Sequence, residues 1–185
     1  MSEFGTSYFG TAKFGGDPSP YLLLEIDTEL TYMARHYLAR GSTDGTSIRA
    51  VEFSIGRAGI DPFDYRVAIP VNPDAQELED QIDLGPYAPP TDVTGTKLIT
   101  AYEYPKSGSS CVYCLLDDTE PPSPPSPAAG SDFISEIGIW AKILYSPYLF
   151  ETTPPENTFL AAIGHFPLIV KNSSMKYALR VNINF

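Results

Sequence analysis

The chain has 185 residues, 18 of them proline, and a net charge of −11. Proline at roughly twice its usual share of about 5% argues against a helical bundle, because it lacks the N–H a helix needs. The acidic balance repels phosphate backbones and anionic lipid, which argues against nucleic-acid and membrane-surface partners.

No apolar run approaches the roughly 18 residues of a membrane-spanning helix. The opening "MSEFGTSYFGTAKF" has no basic segment followed by an apolar one, so no signal peptide is expected. Two cysteines do not make a disulfide framework, and a reducing compartment is expected.

In chain order, the first 20 residues read as an extended aromatic and glycine-rich arm. Phe4-Gly5, Phe9-Gly10 and Phe14-Gly15 recur every five residues. Glycine at this density weakens regular structure. The three phenylalanines are expected to bury against a neighbouring subunit. Residues 21–185 read as a single β-rich domain. A helix is expected over 28–40, capped by Asp27 or Thr28. Leu30, Met33, Ala34, Tyr37 and Leu38 share one face, and Gly41 closes it. "SIRAVEFSIG" then alternates with period two and puts Arg49, Val51, Phe53 and Ile55 on its core face. "RAGIDPFDYRVAIPVNP" is turn-rich, with a short extended piece at 65–71. "DAQELEDQI" is read as one or two helical turns capped by Asp74.

"TKLITAYEYP" and "SSCVYCLLDD" are expected to form a hairpin. A proline-rich loop over about 117–132 follows, of polyproline II character. "FISEIGIWAKIL" is expected to pair with "TFLAAIGHFPLIV". The last strand alternates Tyr177, Leu179, Val181, Ile183 and Phe185 with Ala178, Arg180, Asn182 and Asn184. Such a strand is expected inside a sheet or against a partner. The fold class is therefore mostly β with one or two short helices (α+β). Its expected form is β-sandwich-like sheets with long Pro-rich loops.

The chemistry-bearing residues are few. Glu136 lies on the strand face shared with Ile134, Gly138, Trp140 and Lys142, the more polar of the two. It reads as a structural glutamate bonding a nearby group. A glycosidase needs a second carboxylate across a sugar site, and no partner stands out. Cys111 and Cys114 form a CxxC, but on a strand these positions face opposite sides, so neither zinc nor redox chemistry is expected. His36 reads as a partly exposed helix residue, and His165 as a ligand of a backbone group near a turn. No catalytic, cofactor-binding or metal-binding residues are assigned. Trp140 and exposed tyrosines point to an alternative, a carbohydrate-binding β-domain in host recognition. A polysaccharide hydrolase using Glu136 is a lesser one.

The ordered set "YLARG", "AVEFSIGRAGIDP", "PVNPDAQELEDQI", "FISEIGIWAKI" and "FLAAIGHFPLIVKNSSMKYALRVNINF" resembles the phage tail-collar fibre family. That family comprises the amino-terminal baseplate-attachment region of tail fibres and related baseplate proteins. The resemblance covers 30–185 in patches, and "FISEIGIWAKI" is its most specific piece. It implies a non-catalytic virion protein, made in the host cytoplasm, that connects a tail fibre to the baseplate. Its implied partners are baseplate and tail-fibre proteins, in a homotrimer or multi-copy assembly. Phe4, Phe9, Phe14, Trp140 and Phe185 are the expected partner-interaction residues. The family often has a longer glycine cluster where "IGRAGIDP" stands. Its full fibres continue into a shaft and tip that this chain lacks, so an adaptor fits better than a receptor-binding fibre.

Overall fold

The structure, a computed structural model, describes residues 10–12, 21–85, 91–104, 109–118, 120, 131–145, 158–172 and 175–184. The expected arm phenylalanines Phe4, Phe9 and Phe14, most of the proline-rich loop, and Phe185 lie outside the described residues.

One short strand and one long one open the fold. Strand β1 (Gly10–Ala12) pairs antiparallel with the start of β2 (Tyr21–Leu30). Leu24, Ile26, Thr28 and Leu30 of β2 point inward, while Glu25, Asp27 and Glu29 are half-buried or exposed. This period of two corrects the helix expected over 28–40. The helix α1 runs over Tyr32–Asp44 instead. Thr31, not Asp27 or Thr28, is its N-cap, accepting a hydrogen bond from the Ala34 amide at 3.2 Å. Gly45, not Gly41, ends it, with φ at 79°, a conformation glycine adopts without strain. The sequence misled because Leu30, Ala34 and Leu38 also fit a helical stripe, although Leu30 belongs to the strand.

Strand β3 (Ser47–Gly56) leads into a two-stranded finger, β4 (Ile60–Asp61) and β5 (Asp64–Ala68). The segment "DAQELEDQI" is turns and bends rather than helix. It ends in β6 (Gln81–Ile82), which pairs with β3. Its Leu78 is buried, and four of its nine residues are acidic, with no repeating apolar face to hold a helix. Strands β7 (Lys97–Leu98) and β8 (Ala101–Glu103) divide the first arm of the expected hairpin. β7 pairs with β3, and β8 with β9 (Ser109–Leu116). The switch falls at Ile99 and Thr100, whose amides donate to Val51 and Tyr113 carbonyls on different strands. The expected pair β10 (Ser131–Tyr145) and β11 (Thr158–Asn172) forms, antiparallel, with register shifts near Ile134 and Ile139. The last strand, β12 (Tyr177–Asn184), is interior, parallel to β2 and antiparallel to β9.

Ten strands make one sheet in the order β6-β3-β10-β11-β2-β12-β9-β8, with β7 beside β3 and β1 beside β2. β11 and β2 are joined at only two positions, Ala162 with Leu30 and Ile163 with Glu29. The sheet bends at that narrow join, and its two halves share one core. Phe53, Ile55, Ile137 and Ile139 from the first half cluster with Leu24, Ile26, Val112, Leu179 and Val181 from the second. Burying each such side chain contributes about 1.5–3 kcal/mol. The fold is thus mostly β with one helix among the described residues, in the sandwich-like form the sequence implies.

Candidate functional site

The first half-sheet is covered on both faces, and the second cover gathers most of the chemistry-bearing side chains. Cross-strand pairing places Glu136 opposite Gly56, Gly138 opposite Ser54 and Trp140 opposite Glu52. On the other side it places Glu136 opposite His165, Gly138 opposite Ile163 and Trp140 opposite Leu160. These residues line the face away from the main core. Over them lie residues 57–85 and 91–95, whose Leu78, Val71, Ala75 and Val93 pack with Trp140, Leu160 and Ile163 in a second apolar cluster.

Two polar groups, Glu52 and His165, tie this cover down, and a bond between Trp140 and Ser54 joins the strands beneath it. The Glu52 carboxylate, 2% exposed, accepts from the Asp92 amide at 2.7 Å, the Val93 amide at 3.2 Å and the Thr96 hydroxyl at 2.7 Å. The Trp140 indole donates to the Ser54 hydroxyl at 2.8 Å. His165 bridges cover and sheet: Nδ1 lies 2.9 Å from the Ile69 carbonyl and Nε2 lies 3.2 Å from Glu136 Oε1. Both neighbours are acceptors, so a ring protonated on both nitrogens satisfies both. Burial disfavours that charged ring, but the hydrogen bonds to Glu136 and Ile69 and the nearby charges of Glu136 and Glu29 outweigh it. The net effect holds the His165 pKa above its usual range.

Close approach of the backbone seals the pair. A Cβ at Gly59 would run into the Ser135 carbonyl, and one at Gly56 into the Glu136 carboxylate, so glycine alone lets the cover sit this low. Glu136 is 3% exposed, and its Oε2 has no hydrogen-bond partner among the described residues. The arrangement can fix the loop after β5 to the sheet. It leaves little room for a substrate to reach the carboxylate.

The finger rises from this fixed base. The Ile69 amide donates to the Gly59 carbonyl at 3.1 Å, closing the finger beside the His165 contact. Phe63, Tyr65 and Val67 fall at alternate positions along it and are 95%, 62% and 49% exposed. They form an apolar stripe that nothing in the described fold covers.

Trp140, expected at a partner or sugar surface, is instead 6% exposed and packed beneath the cover. A strand residue on the polar face reads as outward, and only the non-local cover turns it inward. Cys111 and Cys114 do face opposite sides. Cys111 Sγ donates to Asn182 Oδ1 at 3.0 Å, while Cys114 lies in the main core, and burial pushes both thiols up. His36 is exposed on α1, and His165 does bind a backbone carbonyl. Sequence reasoning missed Glu52 and the finger. The i, i+2, i+4 run Phe63-Tyr65-Val67 beside Asp61-Pro62 was the available signal for the finger, and Glu52 gave none.

No protein-family model matches the chain, no curated protein matches it, and no solved structure matches it.

Proposed function

We propose that this chain is a non-catalytic structural protein of a phage tail, an adaptor that connects a tail fibre to the baseplate and works in multiple copies. The ordered sequence resemblance supplies the phage assignment. The geometric observation that carries the assembly role is the apolar stripe Phe63, Tyr65 and Val67, held out on a fixed base. Exposed apolar surface presented in this way is characteristic of protein contact sites. Glu136 supports the same reading. Its hydrogen bond goes to His165, and its surroundings exclude solvent. The carbohydrate-binding alternative rested on Trp140 together with exposed tyrosines, and of these Trp140 is buried.

The test is a tagged pull-down from cells making the complete particle, read by mass spectrometry. Baseplate and fibre proteins are expected to co-purify in fixed proportion. Recovery of a lone chain from such cells contradicts the proposal.

A further inference from the structure

We infer that the β4–β5 finger is the docking element of this protein, and that its receptor is an apolar cleft, bordered by Lys or Arg side chains, in a different protein. The inference rests on the assembly reading and names the surface and the chemistry of the partner.

The finger has the wrong composition for a free surface. A two-stranded hairpin is marginal alone in water and gains stability by burying one face. Here Phe63 at the turn and Tyr65 and Val67 on β5 are exposed, most of all at the tip. Asp61 and Asp64 are used locally, accepting from the Phe63 and Arg66 amides at 2.7 and 3.0 Å. These contacts shape the tip and leave the stripe facing outward. The base is held by the Ile69 contacts to Gly59 and His165, so the finger is presented with little ordering cost on binding.

Charge selects the partner. Residues 57–85, from which the finger projects, carry seven acids (Asp61, Asp64, Asp74, Glu77, Glu79, Asp80, Asp83) against two arginines, Arg57 and Arg66. The whole chain is at −11. A second copy docking on this surface would bring like charges together, whereas a cleft rimmed by Lys or Arg is complementary. Copies are free to meet through other surfaces.

The experiment places photo-reactive benzoyl-phenylalanine at Phe63 and, separately, at Tyr104, which is 79% exposed and lies after β8. Full-length protein is illuminated in cells making the native assembly, and crosslinked peptides are sequenced. The Phe63 probe is expected to label one other protein, at a peptide with Lys or Arg close to the labelled residue. Its yield is expected to fall several-fold when assemblies are held at about 0.5 M rather than 0.1 M salt. Labelling of a second copy of this chain from position 63, or of a peptide without basic residues, overturns the inference. Products from position 104 alone overturn it while leaving the assembly reading standing. Products from neither position overturn it as well, and the pull-down then decides the assembly reading. Labelling of a non-tail protein by the Phe63 probe with the predicted chemistry keeps the inference and removes the phage-tail reading.

Discussion

The two faces of the first half-sheet are built on opposite principles. The inner face of β3 and β10 is a continuous apolar surface, with Phe53, Ile55, Ile137 and Ile139 fully buried against the second half-sheet. The outer face of the same strands carries Glu52, Ser54, Gly56, Glu136, Gly138 and Trp140. It is also buried, under residues 57–85 and 91–95, which are short strands, turns and bends. Apolar contact is non-directional and roughly proportional to area, so the inner face holds two regular sheets together. An irregular cover has backbone amides and carbonyls that no sheet satisfies, and it needs specific polar partners. Glu52 serves two such amides and His165 one such carbonyl. The inner face holds the fold together, and the outer face holds the cover and its finger in place.

The comparison can be broken first on the inner face. Ile139→Ala is expected to cost about 2–5 kcal/mol of global stability, measured by urea unfolding, because the cavity sits where both half-sheets meet. On the outer face, Glu52→Ala strands the Asp92 and Val93 amides and leaves the Thr96 hydroxyl to the Val93 carbonyl. It is expected to cost roughly 1.5–3 kcal/mol. Its effect should show in proteolytic cleavage within 83–96 before it shows in global unfolding, and simultaneous loss of both would contradict separate roles for the faces. Trp140→Phe keeps most of the packing but removes the bond to Ser54, for about 1 kcal/mol. The Lys142–Asp92 ion pair, at 2.6 Å but about one-third exposed, is the smallest case. Lys142→Met is expected to change stability by less than about 1 kcal/mol.

The comparison also has a pH signature. The folded His165 pKa is raised above its unfolded value of about 6.5. Its contribution is therefore fully present below about pH 6.5 and is lost as pH rises through the raised value. Urea midpoints measured from pH 5.5 to 9 are expected to show this loss in the wild type and to lack it in His165→Gln. Identical pH profiles would remove His165 as the charged tie.

Much of the inner face was legible in the sequence. Clean alternation marked β12, and the pairing of β10 with β11 followed from two adjacent strand patterns. The boundary between β2 and α1 was not legible, because Leu30 fits both periods and strand pairing with Ala162 of β11 decided it. The outer face was hardest. Glu136 and His165 are 29 residues apart, and His165 and Ile69 are 96 apart. A polar residue on an alternating strand has the same pattern whether water or a cover lies above it. That is why a bond from Glu136 to a nearby group was legible, yet Trp140 was placed on the wrong side of the surface.

Native-state hydrogen exchange of wild type and His165→Gln tests the division of labour most directly. The account predicts faster exchange at the Arg57 and Ile69 amides, which donate to Asp80 and Gly59 at the base of the finger. Protection along β10 and β12 should be unchanged. Uniform loss of protection across the sheet, or no change at Ile69, would contradict it.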